Sequence, residues 1–389
     1  MTGFLRGALT ANETALIDRA AAFARNTVAP NAAGWERARR QPVEALREAA
    51  ALGLAALEVP REAGGPGHRY MVKLALCEEM SRADMAFTFS LVNTQNVAAR
   101  LALSPTARHR DVHVPALMKA EIFGGTALSE PGAGSDFSAI RTSAVKSGTG
   151  WTLNGEKGWI TNAGVGDLFI TYVQTDPAAG WRGIAAFLVD ARRPGFRRAA
   201  SYDLSGGHAI GAGGFTLEGY IAPDDDMLAP PGDAFKLAMK GVNGARVYVA
   251  AMCAGMLADA LEKALAYAAE RETFGRKLLE HQGLNWSLGD VANDLEALRG
   301  LTLAAGHLID EGGDAVMAAA HAKKFAGRVT LARIADCIQA MGAAGLREEH
   351  GLGRQLACAK IAAYTDGSTE MMNERIGAGL LKAYGPDLG

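Results

Sequence analysis

Cysteine is scarce. Only Cys77, Cys253, Cys337 and Cys358 occur in 389 residues, far apart and without a CxxC pair. This spacing excludes a secreted disulfide framework, and the four read as reduced, packed thiols. No uninterrupted apolar run approaches the ~20 residues needed to span a bilayer, and the N-terminus lacks a basic stretch followed by an apolar core. Neither membrane insertion nor secretion is expected, and the chain reads as cytoplasmic. Net charge is nearly absent too, since 40 Lys and Arg face 42 Asp and Glu. Without a basic field, nucleic acid and anionic lipid are poor partners. No GxGxxG in a strand-to-helix setting, no GKS or GKT and no GxSxG elbow is found. His109 and His113 stand four apart but lack a third ligand, so no metal is expected and a solvated helix face is the reading.

What the chain has is a hydrophobic share of 49% against 21% charged residues, enough for a stable core, and a length that implies two or three domains. Thr10 with Glu13 forms a capping box opening a helix that should end before Pro30. Pro42 and Gly53 bracket a second helix, and two more run from 71 to 82 and from 86 to 103, divided near Asp84. From about Phe123 short β-like runs take over, at 168 to 174, 184 to 189 and 215 to 221. After Pro230-Pro231-Gly232 the helical period returns, with apolar stripes from Val249 to Leu265 and from Leu284 to Leu298. The expected class is α+β with three parts: an N-terminal helical domain (1–122), a middle antiparallel β domain (123–229) and a C-terminal four-helix bundle (230–389).

Two stretches carry chemistry. In Ala127 to Asp136, ALSEPGAGSD, Gly132 and Gly134 let a ligand approach the backbone. In Asn154 to Thr161, NGEKGWIT, Trp159 offers a flat face, and Ser129, Ser135 and Thr161 place hydroxyls nearby. Together they suit a large, planar, polar molecule.

With RETFGR at 271–276, His281-Gln282, IQAMGAAG at 338–345 and AYTDGSTEMM at 363–372 following in order, the whole chain resembles the FAD-dependent acyl-CoA dehydrogenase family. The resemblance implies that Leu128, Ser129, Gly134, Ser135, Trp159, Ile160 and Thr161 hold the flavin end of FAD. It implies that Arg271, Thr273, Phe274 and Gln282, with Gln339, Gly342 and Ser368, complete the cofactor site, several of them from a neighbouring subunit. A shared cofactor implies a homo-oligomer, most simply a tetramer. Ser135, Asn243, Arg246 and Gly367 fall on the thioester side. The implied reaction is α,β-dehydrogenation of an acyl-CoA, with electrons passed to an electron-transfer flavoprotein.

Where many relatives carry the basic Glu of a Tyr-Glu-Gly-Thr run, this chain has Thr365-Asp366-Gly367-Ser368. Asp366 retains a carboxylate but reaches roughly 1.5 Å less far, so backbone or substrate must compensate. The base position of another branch is Ala245, which cannot act, and Asp84 is a second carboxylate that a helix cap also explains. The helix from Ala86 to Val97 carries Asn93, Gln95 and Asn96; facing inward they imply a short, branched or polar acyl group, and facing solvent they imply nothing. Related reactions stay open: nitroalkane oxidation, dehydrogenation of a carrier-protein thioester, or desulfination. A non-catalytic flavoprotein is the remaining alternative.

Overall fold

The computed structural model describes residues 4–385. Thr10 caps the helix Ala11–Phe23, accepting from the Glu13 N–H while its own N–H donates to the Glu13 carboxylate at 2.8 Å. Contrary to expectation the chain does not stop before Pro30. A π-helical turn, Ala24–Val28, leads straight into the helix Ala29–Arg37. Pro30 lies in the first turn of that helix, where a missing N–H is tolerated. The helix Val43–Ala51 starts after Pro42 and ends by Gly53 at φ +80, as the sequence indicates.

Helices Tyr70–Ser81 and Met85–Ala102 meet at Asp84. The Asp84 carboxylate accepts the Phe87 N–H at 2.8 Å and faces Arg354 Nε at 3.2 Å. With both oxygens engaged, Asp84 acts as a cap and not as a base. His109 and His113 are also corrected: both are buried, not solvated. His109 stands 2.8 Å from Ser104 Oγ and 3.0 Å from Asp226, a carboxylate that Arg193 and Arg108 also contact.

The middle segment forms an eight-stranded sheet among the described residues, mostly antiparallel. Gly124–Ala127 is an exception, running parallel to Leu168–Gln174. Alternation along Leu168–Gln174 feeds two cores. Leu168, Ile170 and Tyr172 pack toward the helices with Val97 and Leu101, while Phe169 and Val173 pack with Phe187, Phe215 and Tyr220.

In the last third, the helix Ala234–Glu270 is about 55 Å long at 1.5 Å per residue. The stripe from Val249 to Leu261 is buried, but Leu265 remains 37% exposed and lies outside the core. Gly255 lets the helix Tyr70–Ser81 come close, since a Cβ there would sit 2.1 Å from Glu78 O. Helices Gln282–Asp310 and Val316–Met341 pack alongside. The expected fourth helix is divided into Leu352–Tyr364 and Thr369–Tyr384 by a turn that contains Asp366.

Candidate active site

Lys157 joins the two glycine-rich stretches. Its side chain is 1% exposed, and its ammonium donates to Leu128 O at 3.0 Å and to Glu130 Oε1 at 2.8 Å. Glu130 in turn accepts the N–H groups of Arg141 and Thr142 at 2.7 and 2.9 Å. Burial lowers the Lys157 ammonium to about 8, against the opposing pull of Glu130. Removing either partner would leave an unpaired charge in the interior.

This clamp presents the cradle. Gly158 N–H donates to Ser129 O at 3.1 Å, tying the strand to the loop. An irregular register beyond Lys157 throws Trp159 to φ +61, with its indole 63% exposed and 4.5 Å from the Tyr202 ring. Ile160 is buried beneath, and Asn162 follows at φ +63. The buried Asn162 amide donates to Gly124 O at 2.7 Å and Ser90 O at 3.0 Å and accepts from Gln41 at 2.6 Å, so the segment is fixed to the N-terminal helices. Left-handed residues outside glycine are held only where the surroundings impose them. On the facing loop Ser135 is exposed, and added Cβ atoms at Gly132 and Gly134 would meet nothing within 4 Å. An open main-chain shelf beside an exposed indole fits a flat, polar cofactor such as a flavin.

The second element is the turn between the last two helices. Asp366 has φ +56 and Gly367 φ +102. Arg246 Nε donates to Asp366 O at 3.0 Å and Arg246 Nη1 to Asn243 Oδ1 at 2.8 Å. Buried Lys323 donates to Ala363 O and Gly367 O, both at 3.4 Å. The two cations therefore grip the backbone and leave the carboxylate alone; Asp366 Oδ2 is shielded and has no hydrogen-bond partner. Burial pushes the carboxyl up to about 6, against Lys323 and Arg246, which pull it down. An unpartnered carboxylate with that affinity for protons is suited to general-base work near neutrality. Ser368 is the N-cap of the helix that follows, and Ala245 is buried without chemistry.

Arg271, Thr273 and Phe274 form a small hairpin after the long helix, Glu272–Thr273 pairing with Arg276–Lys277. Phe274 projects to 94% exposure, Gln282 opens the next helix, and Gln339 and Gly342 lie exposed at the end of Val316–Met341. No hydrogen bond among the described residues joins these positions to the Leu128–Thr161 cradle.

Patterns for the N-terminal, middle and C-terminal domains of acyl-CoA dehydrogenases match residues 10–121, 125–219 and 232–381. The chain belongs to the acyl-CoA dehydrogenase family. This acyl-CoA dehydrogenase homologue is 31% identical over 350 residues to the short-chain specific acyl-CoA dehydrogenase of Clostridium acetobutylicum, covering 90% of this chain and 92% of the relative. Butyryl-CoA dehydrogenase from Megasphaera elsdenii superposes with a TM-score of 0.92 at 28% identity, over 96% of this chain and 99% of that one. PigA with FAD and proline superposes at 0.90 with 25% identity, over 96% and 98%.

Sequence reasoning on the acyl-CoA dehydrogenase homologue missed Lys157, Glu130, Asn162 and Lys323. A signal existed for three of them. Lys157 and Glu130 are opposite charges in the two glycine-bearing motifs, and Lys323 shares a helix face with buried Ala319 and Ala326. Asn162 carried no such mark.

Proposed function

We propose that the protein catalyses α,β-dehydrogenation of an acyl-CoA thioester, with Asp366 as the base that removes the α proton. The observation that carries this reading is the Asp366 carboxylate itself: half-buried with Oδ2 shielded and unpartnered, raised to about 6 and held on a turn whose backbone is fixed by Arg246 and Lys323. FAD, when bound, supplies the acceptor for the β hydrogen and its electron pair. Leu128, Ser129, Gly134, Ser135, Trp159, Ile160 and Thr161 would hold its ring end. Arg271, Thr273, Phe274 and Gln282, with Gln339, Gly342 and Ser368, would complete the site across a subunit boundary in a homotetramer.

Ser135, Asn243, Arg246 and Gly367 would orient the thioester so that its α carbon meets Asp366. Asp366 sits in a left-handed backbone conformation, and this turn would have to carry the shorter side chain to the α carbon. An aspartate tolerates that conformation better than most residues. An electron-transfer flavoprotein would accept the electrons. No helix among the described residues is long and apolar enough to cross a membrane.

Anaerobic mixing of purified holoenzyme with a panel of acyl-CoAs tests the reading. Loss of the oxidised flavin band with at least one thioester is the expected result. A flavin that remains oxidised with all of them sinks the proposal.

A further inference from the structure

Of the helix amides, Asn93 donates to Phe89 O, Gln95 accepts the Leu57 N–H, and Asn96 turns to the neighbouring helices. On the helix Met85–Ala102 its Oδ1 accepts from Lys73 Nζ at 2.6 Å and its Nδ2 donates to Tyr248 Oη at 3.3 Å. Lys73, 3% exposed on the neighbouring helix, is paired with Glu58 at 2.5 Å. Its ammonium stands 5.0 Å from the centre of the Tyr248 ring and 5.6 Å from that of Tyr70. Tyr70 Oη donates to Gly244 O at 2.5 Å, and Phe89 packs edge-on against Tyr248 with centroids 6.2 Å apart. A polar cluster thus occupies the junction of three helices that otherwise meet through Leu, Met and Ala side chains.

The cluster shares a helix with the residue that holds Asp366: Tyr248 and Arg246 stand two residues apart, on different faces of it, and Arg246 Nε donates to the Asp366 carbonyl. Burial first, and then the Asp366 charge, hold the Tyr248 hydroxyl well above its ordinary value. Buried polar groups are costly unless their hydrogen bonds are met. Here Tyr248 Oη accepts from Asn96, and no described residue receives its own proton or the second proton of Asn96 Nδ2. Two donors are therefore left over, on the helix that holds the Asp366 turn and on the helix packed against it. Lys73 and Glu58 cancel in charge, so the cluster offers neutral donors and no net field for an anion; a substrate carboxylate would also face Asp366.

We propose that this cluster closes the distal end of the acyl site. Its preferred substrate class is acyl thioesters that carry a neutral hydrogen-bond acceptor, a hydroxyl or carbonyl oxygen, on their far carbons. Tyr248 and Asn96 receive that oxygen, with Lys73 and Glu58 fixing the Asn96 amide. The inference rests on the thioester reading of the Asp366 site. It goes beyond that reading by naming the acyl group and the residues that choose it.

Calorimetric titration of FAD-loaded Asp366→Asn, which binds without turnover, separates the two. The ligands are ω-hydroxyacyl-CoAs of about four to six carbons, each set against the plain acyl-CoA with the same number of heavy atoms. At least one hydroxyacyl-CoA is expected to bind roughly tenfold or more tightly than its partner, because a site built to bond an oxygen rejects the analogue lacking it. Adding Asn96→Leu or Tyr248→Phe should abolish that preference; Tyr248→Phe keeps the ring and its packing, so it serves where Asn96→Leu does not fold. Equal affinities for the two series, or a preference indifferent to both substitutions, overturn the inference and leave the thioester reading standing. No binding by any thioester overturns both.

Discussion

Arg246 Nε donates to the backbone carbonyl of Asp366 at 3.0 Å and leaves the carboxylate unbridged. A bidentate pair with the side chain would have lowered its proton affinity and immobilised it. Gripping the carbonyl instead orients the turn while the acid remains available. Lys323 does the same from the other side through Ala363 O and Gly367 O.

Replacing Asp366 by Asn should therefore lower the rate of flavin reduction by ~10²–10⁴-fold, the usual worth of a positioned base. The flavin absorbance of the purified variant should match that of the wild type. Rapid mixing under anaerobic conditions measures the first quantity and a simple spectrum the second; a variant that reduces at the original rate would remove Asp366 from the chemistry.

The pH profile has a definite sign. With the carboxyl raised to about 6, kcat/KM should rise as pH increases through that value and level off above it. Stability runs the other way. The folded carboxyl binds its proton more tightly than the unfolded one, so between about pH 4 and 6 the folded state gains from protonation, and that gain is lost as pH rises through 6. Asp366→Asn should consequently raise stability at pH 7 by on the order of 2 kcal/mol, read by denaturant melts at pH 5 and pH 7.

Lys323→Met removes the cation that acts most strongly to lower the Asp366 carboxyl. The acid limb of the rate profile should shift to higher pH by about one unit, with the maximal rate above pH 8 reduced less than tenfold. If Lys323 were only a packing residue, the melting point would change and the limb would not.

Lys157→Met leaves Glu130 buried against main-chain donors without its cation. A loss of about 3–5 kcal/mol is expected, together with weaker retention of FAD on gel filtration, because Leu128 O loses its donor as well. Lys157→Met with Glu130→Gln should recover much of the stability; failure of the double variant to do so would show that the pair is not the origin of the loss.

Phe274→Ala tests the shared cofactor site. The side chain is 94% exposed and makes no contribution to its own core, so the melting point of the chain should change by less than about 0.5 kcal/mol equivalent. FAD affinity should nonetheless fall, and sedimentation should show whether the assembly survives. Unchanged FAD binding in an unchanged oligomer would place the hairpin outside the site.

The sequence by itself determined the order of helical, β and helical segments, because hydrophobic periods of 3.6 and 2 and local caps such as Thr10 with Glu13 act over short distances. It also pointed, through a family resemblance, to the residues of the cradle and to Asp366 as the candidate base, because glycines, a tryptophan and a carboxylate before Gly367 are recognisable as residue types. Continuation of the first helix past Pro30 escaped it, since a π turn depends on packing as well as on local preference. The burial of His109 and His113 escaped it for the same reason: a spacing of four says which residues share a face, not what covers that face. Only the tertiary structure set Lys157 between Leu128 and Glu130, turned Asn96 onto Lys73 and Tyr248, and left Asp366 Oδ2 without a partner. Each of these depends on groups brought together from different helices or strands. Charge, burial and proton affinity at such a point are properties of the assembled environment, which no local stretch of chain contains.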